Sequence, residues 1–488
     1  MIALPFILNS LFNFAIGLLV AKFLGPSEYG RYALALSIAV VLQTLGLDWL
    51  RLSATRFYSE HDRRHRPQIR ATLDVIFAAI ACVALLAAIG IAVSGLNLPL
   101  SPALVSLAIG TAVASGLFEF ATALIRARFL DRSYAKLVVV RTLLSIVLTV
   151  GGAWYFGSAK VALIGVILSV VGSLVFSHRA LNDETADPRL ADRTLARRYA
   201  VYALPIVLAN VLYQMVPMLN RGLVAHIHDF AEAGQLALAF DIGIRIVGAI
   251  GAALDVLLFQ LAVLAEKTFG ADAARQQIAR NMGLVFAVIL PVVTGCWLIL
   301  PSFGRLFVPE PFRESFGHYF TLMLPAMLCI ALTNFSVGPA FQIAHRTLPL
   351  IIGGLTALIA NALAILLLPP SQGATRFALA QSIASGTSLA VMIGFLFTLT
   401  PAWPRWRDIG GTIVVTALML MAVIPLRMMT PGVVTLLLEM SVGVTIYTCG
   451  ALLFDVGALR TMLLRKLSAW PALGSAIKAI AKSKGNIG

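Results

Sequence analysis

The sequence predicts an all-α integral membrane protein with about 14 transmembrane helices, in two pseudo-symmetric six-helix lobes plus two C-terminal helices. The first observation is composition: 59% of the 488 residues are hydrophobic and only 12% are charged, whereas about 25% are charged in soluble domains. The second is a set of fourteen apolar runs, each long enough to cross the hydrocarbon core as a helix. The third is an internal repeat.

The repeat joins the end of the first apolar run to the start of the second. LVAKFLGPSEYGRYALA, residues 19–35, recurs without gaps as LVAHIHDFAEAGQLALA, residues 223–239, with eight of seventeen positions identical. A match by composition between two segments rich in alanine and leucine is the alternative. The aligned Glu-x-Gly inside a polar break favours duplication, and an even number of spans between the copies gives both lobes the same orientation.

The longest polar break, HRALNDETADPRLADRTLARRY, follows the sixth run and is the natural linker between lobes. It divides the chain into five predicted parts. These are an N-terminal lobe at 1–180, a linker at 181–199, a C-terminal lobe at 200–400, two further helices at 401–454 and an amphipathic basic tail at 455–488. We expect the tail either to lie on an anionic leaflet or to be a solvated basic segment.

The net charge of +15 follows the pattern of topology signals rather than that of a nucleic-acid-binding surface. The breaks after even-numbered runs, with the tail, carry 27 Lys and Arg residues, and the other breaks carry 7. The positive-inside rule therefore predicts that both termini are cytoplasmic. The four cysteines lie in apolar runs without paired spacing and are read as small buried residues.

The sequence contains no constellation typical of an enzyme. It has no HExxH motif, no Walker loop, no GxSxG motif and no long connection on the side opposite the termini. We therefore predict a protein that is not an enzyme and has no catalytic residue, no metal site and no cofactor.

The remaining candidates are ionisable residues inside the apolar runs, where each charge needs a partner or a water-filled cavity. In the eighth run Asp241 and Arg245 are four residues apart on one helix face, and Asp255 returns close to that face. Arg245 could meet a substrate phosphate, or an Asp241–Arg245 pair could simply join helices. We assign ion or proton coupling to Glu119, which lies in mid-span in the first lobe, and to Asp241 and Asp255.

Two further arginines are candidates for substrate binding. Arg51 lies three residues after Asp48 at the end of the second run, and Arg141 lies in the first turns of the fifth. The alternatives are that Arg51 lies at the cytoplasmic surface and that Arg141 snorkels as a topology residue.

Polar stripes open both lobes. Asn9 and Asn13 are four residues apart in the first run, as are Asn210 and Gln214 in the seventh. Such side chains hydrogen bond helices together, but at a lobe interface they would also suit sugar hydroxyls. All four are predicted to bind substrate.

The segments KFLGPSEYGRYALA, LGLDWLRLSATRF and MLNRGLVA before EAGQLALAFDIGIRI resemble the polysaccharide transporter family, the O-antigen and exopolysaccharide flippases. That family belongs to the superfamily of multidrug, oligosaccharidyl-lipid and polysaccharide exporters, and the resemblance implies fourteen spans in two lobes. In the family the seventh span often ends in Asp-Arg, whereas this chain has Asn220 and Arg221. The neutral amide puts a cation-binding role there in doubt.

The resemblance implies a flippase that moves polyprenyl-diphosphate-linked oligosaccharide from the cytoplasmic to the periplasmic leaflet of a bacterial inner membrane, for exopolysaccharide, O-antigen or capsule synthesis. The expected partners are this lipid, membrane lipids and the polysaccharide polymerase machinery, without nucleic acid. The main alternative is a cation-coupled multidrug exporter of the same fold, which would favour an acidic cavity. An oligosaccharide polymerase or ligase and a non-transporting scaffold are weaker alternatives.

Overall fold

The structure, a computed structural model, describes residues 3–95, 99–183, 186–344, 346–399, 402–458 and 460. Within these ranges the chain is helical and has no β-strand, which confirms the predicted all-α class. The helices of the first half are α1 Ala3–Gly46, α2 Asp48–Phe57, α3 Glu60–His65, α4 Pro67–Val93, α5 Pro102–Ala127, α6 Asp131–Ser145, α7 Gly151–Phe156, α8 Ala159–Phe176 and α9 His178–Leu181. Those of the second half are α10 Arg193–Ile227, α11 Phe230–Phe269, α12 Ala271–Leu298, α13 Leu300–Phe307, α14 Arg313–Leu332, α15 Gly338–Ile343, α16 Leu348–Leu367, α17 Thr375–Leu399, α18 Trp406–Arg427 and α19 Val433–Leu453.

In the described residues, thirteen helical segments are long and apolar enough to cross a membrane. Fourteen runs become thirteen segments because the first two runs are joined in α1. The join is not a regular helix: Gly25 has φ of +70°, a left-handed conformation that glycine adopts without steric cost. Pro26 follows at the first position of the second half, where its missing N–H is not needed.

The second copy of the repeat breaks at the same register. The helix α10 ends at Ile227, and α11 begins at Phe230. Asp229, which aligns with Gly25, accepts a hydrogen bond from the Glu232 backbone N–H at 2.8 Å. A carboxylate in this position caps the first turn of a helix. The two copies therefore use different residues to make the same interruption.

The repeated glycines bring the two copies into direct backbone contact. A Cβ atom on Gly30 would overlap the Phe230 carbonyl oxygen, and one on Gly234 would overlap that of Pro26. The same Cβ on Gly234 would lie only 2.9 Å from the Gly30 nitrogen. Only a residue without a side chain permits this approach between α1 and α11.

The chain forms two compact units. Unit 1 comprises Met1–Ala249, Phe307–Cys329 and Arg346–Met392, and its core includes the buried Leu50, Leu73, Leu124 and Tyr199. Unit 2 comprises Ile250–Leu306, Ile330–His345 and Ile393–Gly488. Its core forms where α12 packs on α18 and α19, and it includes Ala287, Val415 and Ala451. The units follow contact density and do not test the predicted lobe boundaries.

The predicted linker lies within unit 1 and is hydrogen bonded to the N-terminal part of that unit at two points. Asp183 accepts hydrogen bonds from Arg63 at 3.0 Å and Tyr58 at 3.1 Å. The Asp192 backbone N–H donates to the Thr72 hydroxyl at 2.9 Å. Asp192 also caps α10, so the helix begins at Arg193, inside the predicted linker. The predicted tail at 455–488 lies outside the described residues except for 455–458 and 460.

Candidate functional site

Arg245 lies in α11 with its guanidinium against the backbone of α1. Its Nη1 donates to the Asn13 carbonyl. A Cβ on Gly17 would come within 2.8 Å of this nitrogen, so the glycine makes room for the arginine. Arg245 is exposed and has no carboxylate partner among the described residues. The contact with α1 positions the guanidinium and leaves its other donors available to an anion.

The Asp241–Arg245 pair, one of the two alternatives for these residues, is not formed in the described residues. Asp241 instead forms an ion pair with Arg221 of α10, and the Tyr29 hydroxyl donates to its second oxygen at 3.5 Å. Sharing a helix face allows a contact between residues four apart but does not select it. Arg221 is only 7% exposed to solvent. Its guanidinium therefore needs a counter-charge more than that of the exposed Arg245 does.

Arg221 completes a network that joins three helical segments. Its Nη1 donates to the Ser37 hydroxyl at 2.7 Å and to the Ala33 carbonyl at 3.4 Å, both in α1. Its Nη2 reaches Asp241 in α11. Because Arg221 is buried and its donors are already used by these partners, we interpret its role as holding the helices together rather than binding a ligand. Asp241 belongs to this network, and its role in coupling stays a prediction.

Arg141 and Arg245 both act electrostatically on one tyrosine. Tyr32 in α1 lies within electrostatic reach of both guanidinium groups. The Arg141 guanidinium lies 4.2 Å from the centroid of the Phe118 ring, an attractive cation–π contact. Glu119 is also within electrostatic reach of Arg141, but the described structure shows no hydrogen bond between them. Two predicted arginines, from different spans, thus share a neighbourhood in unit 1.

Arg51, unlike Arg245, has a carboxylate partner. Its Nε and Nη2 each contact a different oxygen of Asp48 at 3.3 Å, as the three-residue spacing suggested. Asp48 is buried, so this bidentate pair fixes Arg51 in α2. The Arg51 side chain stays partly exposed, but Asp48 balances its positive charge.

The predicted polar stripes are present on α1 and α10. Asn13, Asn210 and Gln214 are exposed, and their side chains have no hydrogen bond among the described residues. They are therefore available to a polar ligand or to water in a membrane cavity. Asn9 lies in α1 about one turn before Asn13. Asp255 in unit 2 is half-buried and has no ion pair in the described part of the chain.

The structure reveals a buried carboxamide cluster that sequence reasoning found only in part. Asn220 is fully buried and donates to Asn361 at 3.1 Å and to Gln381 at 3.3 Å. Asn361 donates back to Asn220 at 2.8 Å. The signal for Asn361 and Gln381 was a lone amide in each of two long apolar runs, IANALAILL and FALAQSIAS. Asn220 thus belongs to a network of neutral amides that joins α10, α16 and α17.

A buried acid in unit 2 was also missed. Glu439 in α19 is 2% exposed, and its carboxyl oxygens have no well-formed hydrogen bond among the described residues, although the Ser302 hydroxyl lies close enough to interact with it. Arg427, at the end of α18, lies over the Trp297 ring at 3.6 Å from its centroid and is within electrostatic reach of Glu439. The sequence signal for Glu439 was a single acidic residue inside an apolar run.

Comparison with known proteins gives no match by sequence family. No protein-family model matches the chain, and no curated protein matches it. In the described residues no three His, Cys, Asp or Glu side chains group as a metal site. What the chain resembles is therefore defined by its fold.

Three solved structures share that fold over most of the chain. Lipid II flippase MurJ, in an inward closed conformation, superposes with a TM-score of 0.69 at 13% identity, covering 93% of this chain and 98% of its own. An inward-facing multidrug resistance MATE family transporter has a TM-score of 0.62 at 14% identity, with 80% and 93% covered. MATE in complex with MaD3S has a TM-score of 0.52 at 15% identity, with 81% and 92% covered. The chain is a multi-pass membrane protein with the fold of the lipid II flippase and the multidrug transporters of the MOP superfamily.

Proposed function

We propose that the protein is a flippase for polyprenyl-diphosphate-linked oligosaccharide, moving it from the cytoplasmic to the periplasmic leaflet by alternating access. It would supply exopolysaccharide, O-antigen or capsule synthesis in a bacterial inner membrane, with both chain termini in the cytoplasm. The observation that carries this proposal is the state of Arg245. Its natural counter-ion on the same helix, Asp241, is occupied by Arg221, so Arg245 offers a positive charge without a carboxylate.

The diphosphate would bind Arg245 and Arg141, which are both within electrostatic range of Tyr32. Guanidinium groups bind phosphate oxygens through paired N–H donors. The Tyr32 hydroxyl would add a neutral donor. Arg51 is the weaker third cation, because Asp48 already accepts two of its donors.

The sugars would meet the exposed amides. Asn13, Asn210 and Gln214 present donors and acceptors that no protein group uses in the described structure, and Asn9 extends the same stripe. Sugar hydroxyls both donate and accept, so amides suit them better than charges do. The lipid tail would remain in hydrocarbon while these polar parts cross between the lobes.

The driving force would come in part from the membrane potential. With the outside positive, outward movement of an anion is favoured by about 2.3 kcal/mol per charge per 100 mV. Glu119 is the coupling candidate best placed to respond, since it is near Arg141. Asp255 is the second. Protonation or cation binding at either residue would alter the charge that the substrate meets.

A cation-coupled multidrug exporter is the second candidate, because the same fold serves the MATE transporters. The half-buried Asp255, without an ion pair in the described part of the chain, would suit a cationic drug. Against it, the cations around Tyr32 would repel such a substrate.

The test measures lipid-linked oligosaccharide on each leaflet in cells expressing wild type, Arg245→Ala or no protein. We expect the intermediate to accumulate on the cytoplasmic leaflet in the deletion strain and in Arg245→Ala. Lys267→Ala, which removes an exposed charge from the far end of the same helix, is the matched control and should behave as wild type. A normal distribution in the deletion strain, with no second flippase present, would contradict the proposal. Drug export lost in the deletion strain would then support the exporter.

A further inference from the structure

A cavity of about 270 Å³ lies in unit 1, and neither Arg141 nor Arg245 lines it. Its walls come from α4, α5, α8 and α9. The lining residues are Arg70, Asp74, Phe77, Leu117, Phe120, Ala121, Leu124, Leu174 and Leu181. Seven of these nine side chains are apolar, and the two charged ones adjoin each other. None of them was a candidate site residue in the sequence.

The cavity is polar at one end only. Arg70 lies in the first turn of α4, and Leu181 ends α9, so this end is level with the helix termini. Phe77, seven residues further along α4, lies about 10 Å deeper at the helical rise. Leu117 lies ten residues before the C-terminal end of α5, about 15 Å deep at the same helical rise. The space therefore runs along the helices, with charges near the membrane surface and hydrocarbon walls below them.

The charges at the mouth form a neutral pair with unused groups on both sides. The Arg70 Nε donates to one Asp74 oxygen at 2.6 Å, and the guanidinium lies 5.7 Å from the Phe120 ring centroid. The Arg70 Nη groups and the second Asp74 oxygen have no hydrogen bond in the described structure. Asp74 retains 38% of its side-chain exposure. The neighbouring acid, Asp183, is held by Arg63 and Tyr58 and is only 2% exposed.

We propose that this cavity is a binding site for a zwitterionic phospholipid with a primary ammonium group, of the phosphatidylethanolamine type. The phosphate accepts hydrogen bonds from the Arg70 Nη groups, and the ammonium donates to the free oxygen of Asp74. One acyl chain fills the apolar space between Phe77, Leu117 and Leu124. An adjacent cation and anion match a headgroup that carries both charges, whereas a purely anionic headgroup would face Asp74 without compensation.

The headgroup chemistry makes the proposal selective. Phosphatidylglycerol has the phosphate but no ammonium, so it would contact Arg70 alone. Phosphatidylcholine has a quaternary ammonium, which cannot donate a hydrogen bond. Phosphatidylethanolamine alone of the three satisfies both residues. The expected preference is about two- to fivefold, because a partly exposed charged contact contributes about 0.5–1 kcal/mol.

The test incubates delipidated full-length protein in detergent with equal amounts of the three lipids and counts the bound lipids by native mass spectrometry. We expect phosphatidylethanolamine to be retained over the other two by wild type. Asp74→Asn should abolish its advantage over phosphatidylcholine while phosphate binding by Arg70 persists. Leu117→Trp should lower retention of all three lipids, because the indole fills the apolar space.

Val83→Trp is the matched control, since Val83 is 68% exposed on α4 and does not line the cavity. It should bind lipid as wild type does. Equal retention of the three lipids would mean annular lipid only and would overturn the proposal, as would a preference for phosphatidylglycerol or unchanged binding in Leu117→Trp. If Leu117→Trp does not fold, Asp74→Asn decides alone, because its partly exposed side chain permits the isosteric change.

Discussion

The Asp241 carboxylate pairs with Arg221 on another helix, although Arg245 is four residues away on its own. This relationship gives the two arginines different roles. Arg221 is a buried member of a packing network, and Arg245 is an exposed cation supported by a backbone carbonyl. Their replacement should consequently affect different properties of the protein.

Asp241→Ala should destabilise the protein by about 3 kcal/mol, the lower end for breaking a buried ion pair, because Asp241 keeps 22% side-chain exposure. The loss arises chiefly from leaving the Arg221 guanidinium buried without a counter-charge. Thermal unfolding in detergent measures it. Arg245→Ala, by comparison, should unfold close to the wild-type temperature while losing transport. Equal unfolding temperatures for the two variants would show that the Arg221 pair does not stabilise the fold.

Gly30→Val should separate the two copies of the repeat. A side chain at position 30 would overlap the Phe230 carbonyl, so α1 and α11 can no longer touch. Spin labels at Ser27 and Ala231, measured by electron–electron double resonance, should report a longer distance in Gly30→Val than in the parent. Gly248→Val is the control, since a Cβ there meets no atom within 4 Å. An unchanged label distance in Gly30→Val would count against a tight glycine contact.

The cluster around Glu60 should make stability depend on acidity. The Arg128 guanidinium donates to Glu60 at 2.9 Å and lowers the pKa of this carboxyl from its usual value of 4.5. A lowered pKa means that the contribution to stability is present above the unfolded value and is lost as pH falls through the folded value. The unfolding temperature should therefore fall when pH drops from neutral to below about 4.5.

Glu60→Gln should reduce that fall, because the amide does not titrate. Thermal unfolding across the acid range compares the variant with wild type. Glu266→Gln removes an exposed acid at the end of α11 and should leave the acid dependence as it is in wild type. If Glu60→Gln and wild type lose the same stability on acidification, the Arg128–Glu60 contact does not contribute to it.

Glu439→Gln should unfold at or above the wild-type temperature. The side chain is 2% exposed, and within the described residues its oxygens have no well-formed hydrogen bond, with only the Ser302 hydroxyl and Arg427 close enough to interact. Replacing an unsatisfied ionisable group by a neutral one of the same shape removes a desolvation cost. Glu439→Ala is the contrasting variant, since it also leaves a cavity and should lower the unfolding temperature. A large destabilisation in Glu439→Gln would indicate that Arg427 depends on the charge.

Local signals sufficed for the class of the protein. Apolar runs of spanning length predict helices because backbone groups in lipid must bond within the helix, and the structure has those helices. Gly25 and Pro26 carry their own conformational preferences, so the break between the first two runs was readable. The first two apolar runs nevertheless form the single helix α1, because only Gly25 between them departs from helical geometry. The number of apolar runs therefore exceeds the number of helical segments by one.

The partners of the charged residues were not readable. Asp241 lies 20 residues from Arg221 and four from Arg245, and periodicity favours the nearer residue. The same holds for Asn220, whose partners Asn361 and Gln381 are more than 140 residues away along the chain. Contacts of this kind depend on which helices pack together, and lone polar residues in apolar runs contain no information about their neighbours.

The sequence by itself determined that this chain crosses the membrane many times as helices, where those helices break and that the two repeat copies begin their spans alike. These properties follow from local hydrophobicity and backbone preference. The tertiary structure decided that Gly30 meets Gly234, that Arg221 takes Asp241 and that Arg245 and Arg141 share the surroundings of Tyr32. Side chains in a low-dielectric interior pair with the nearest suitable group in space, and nearness in space is set by helix packing.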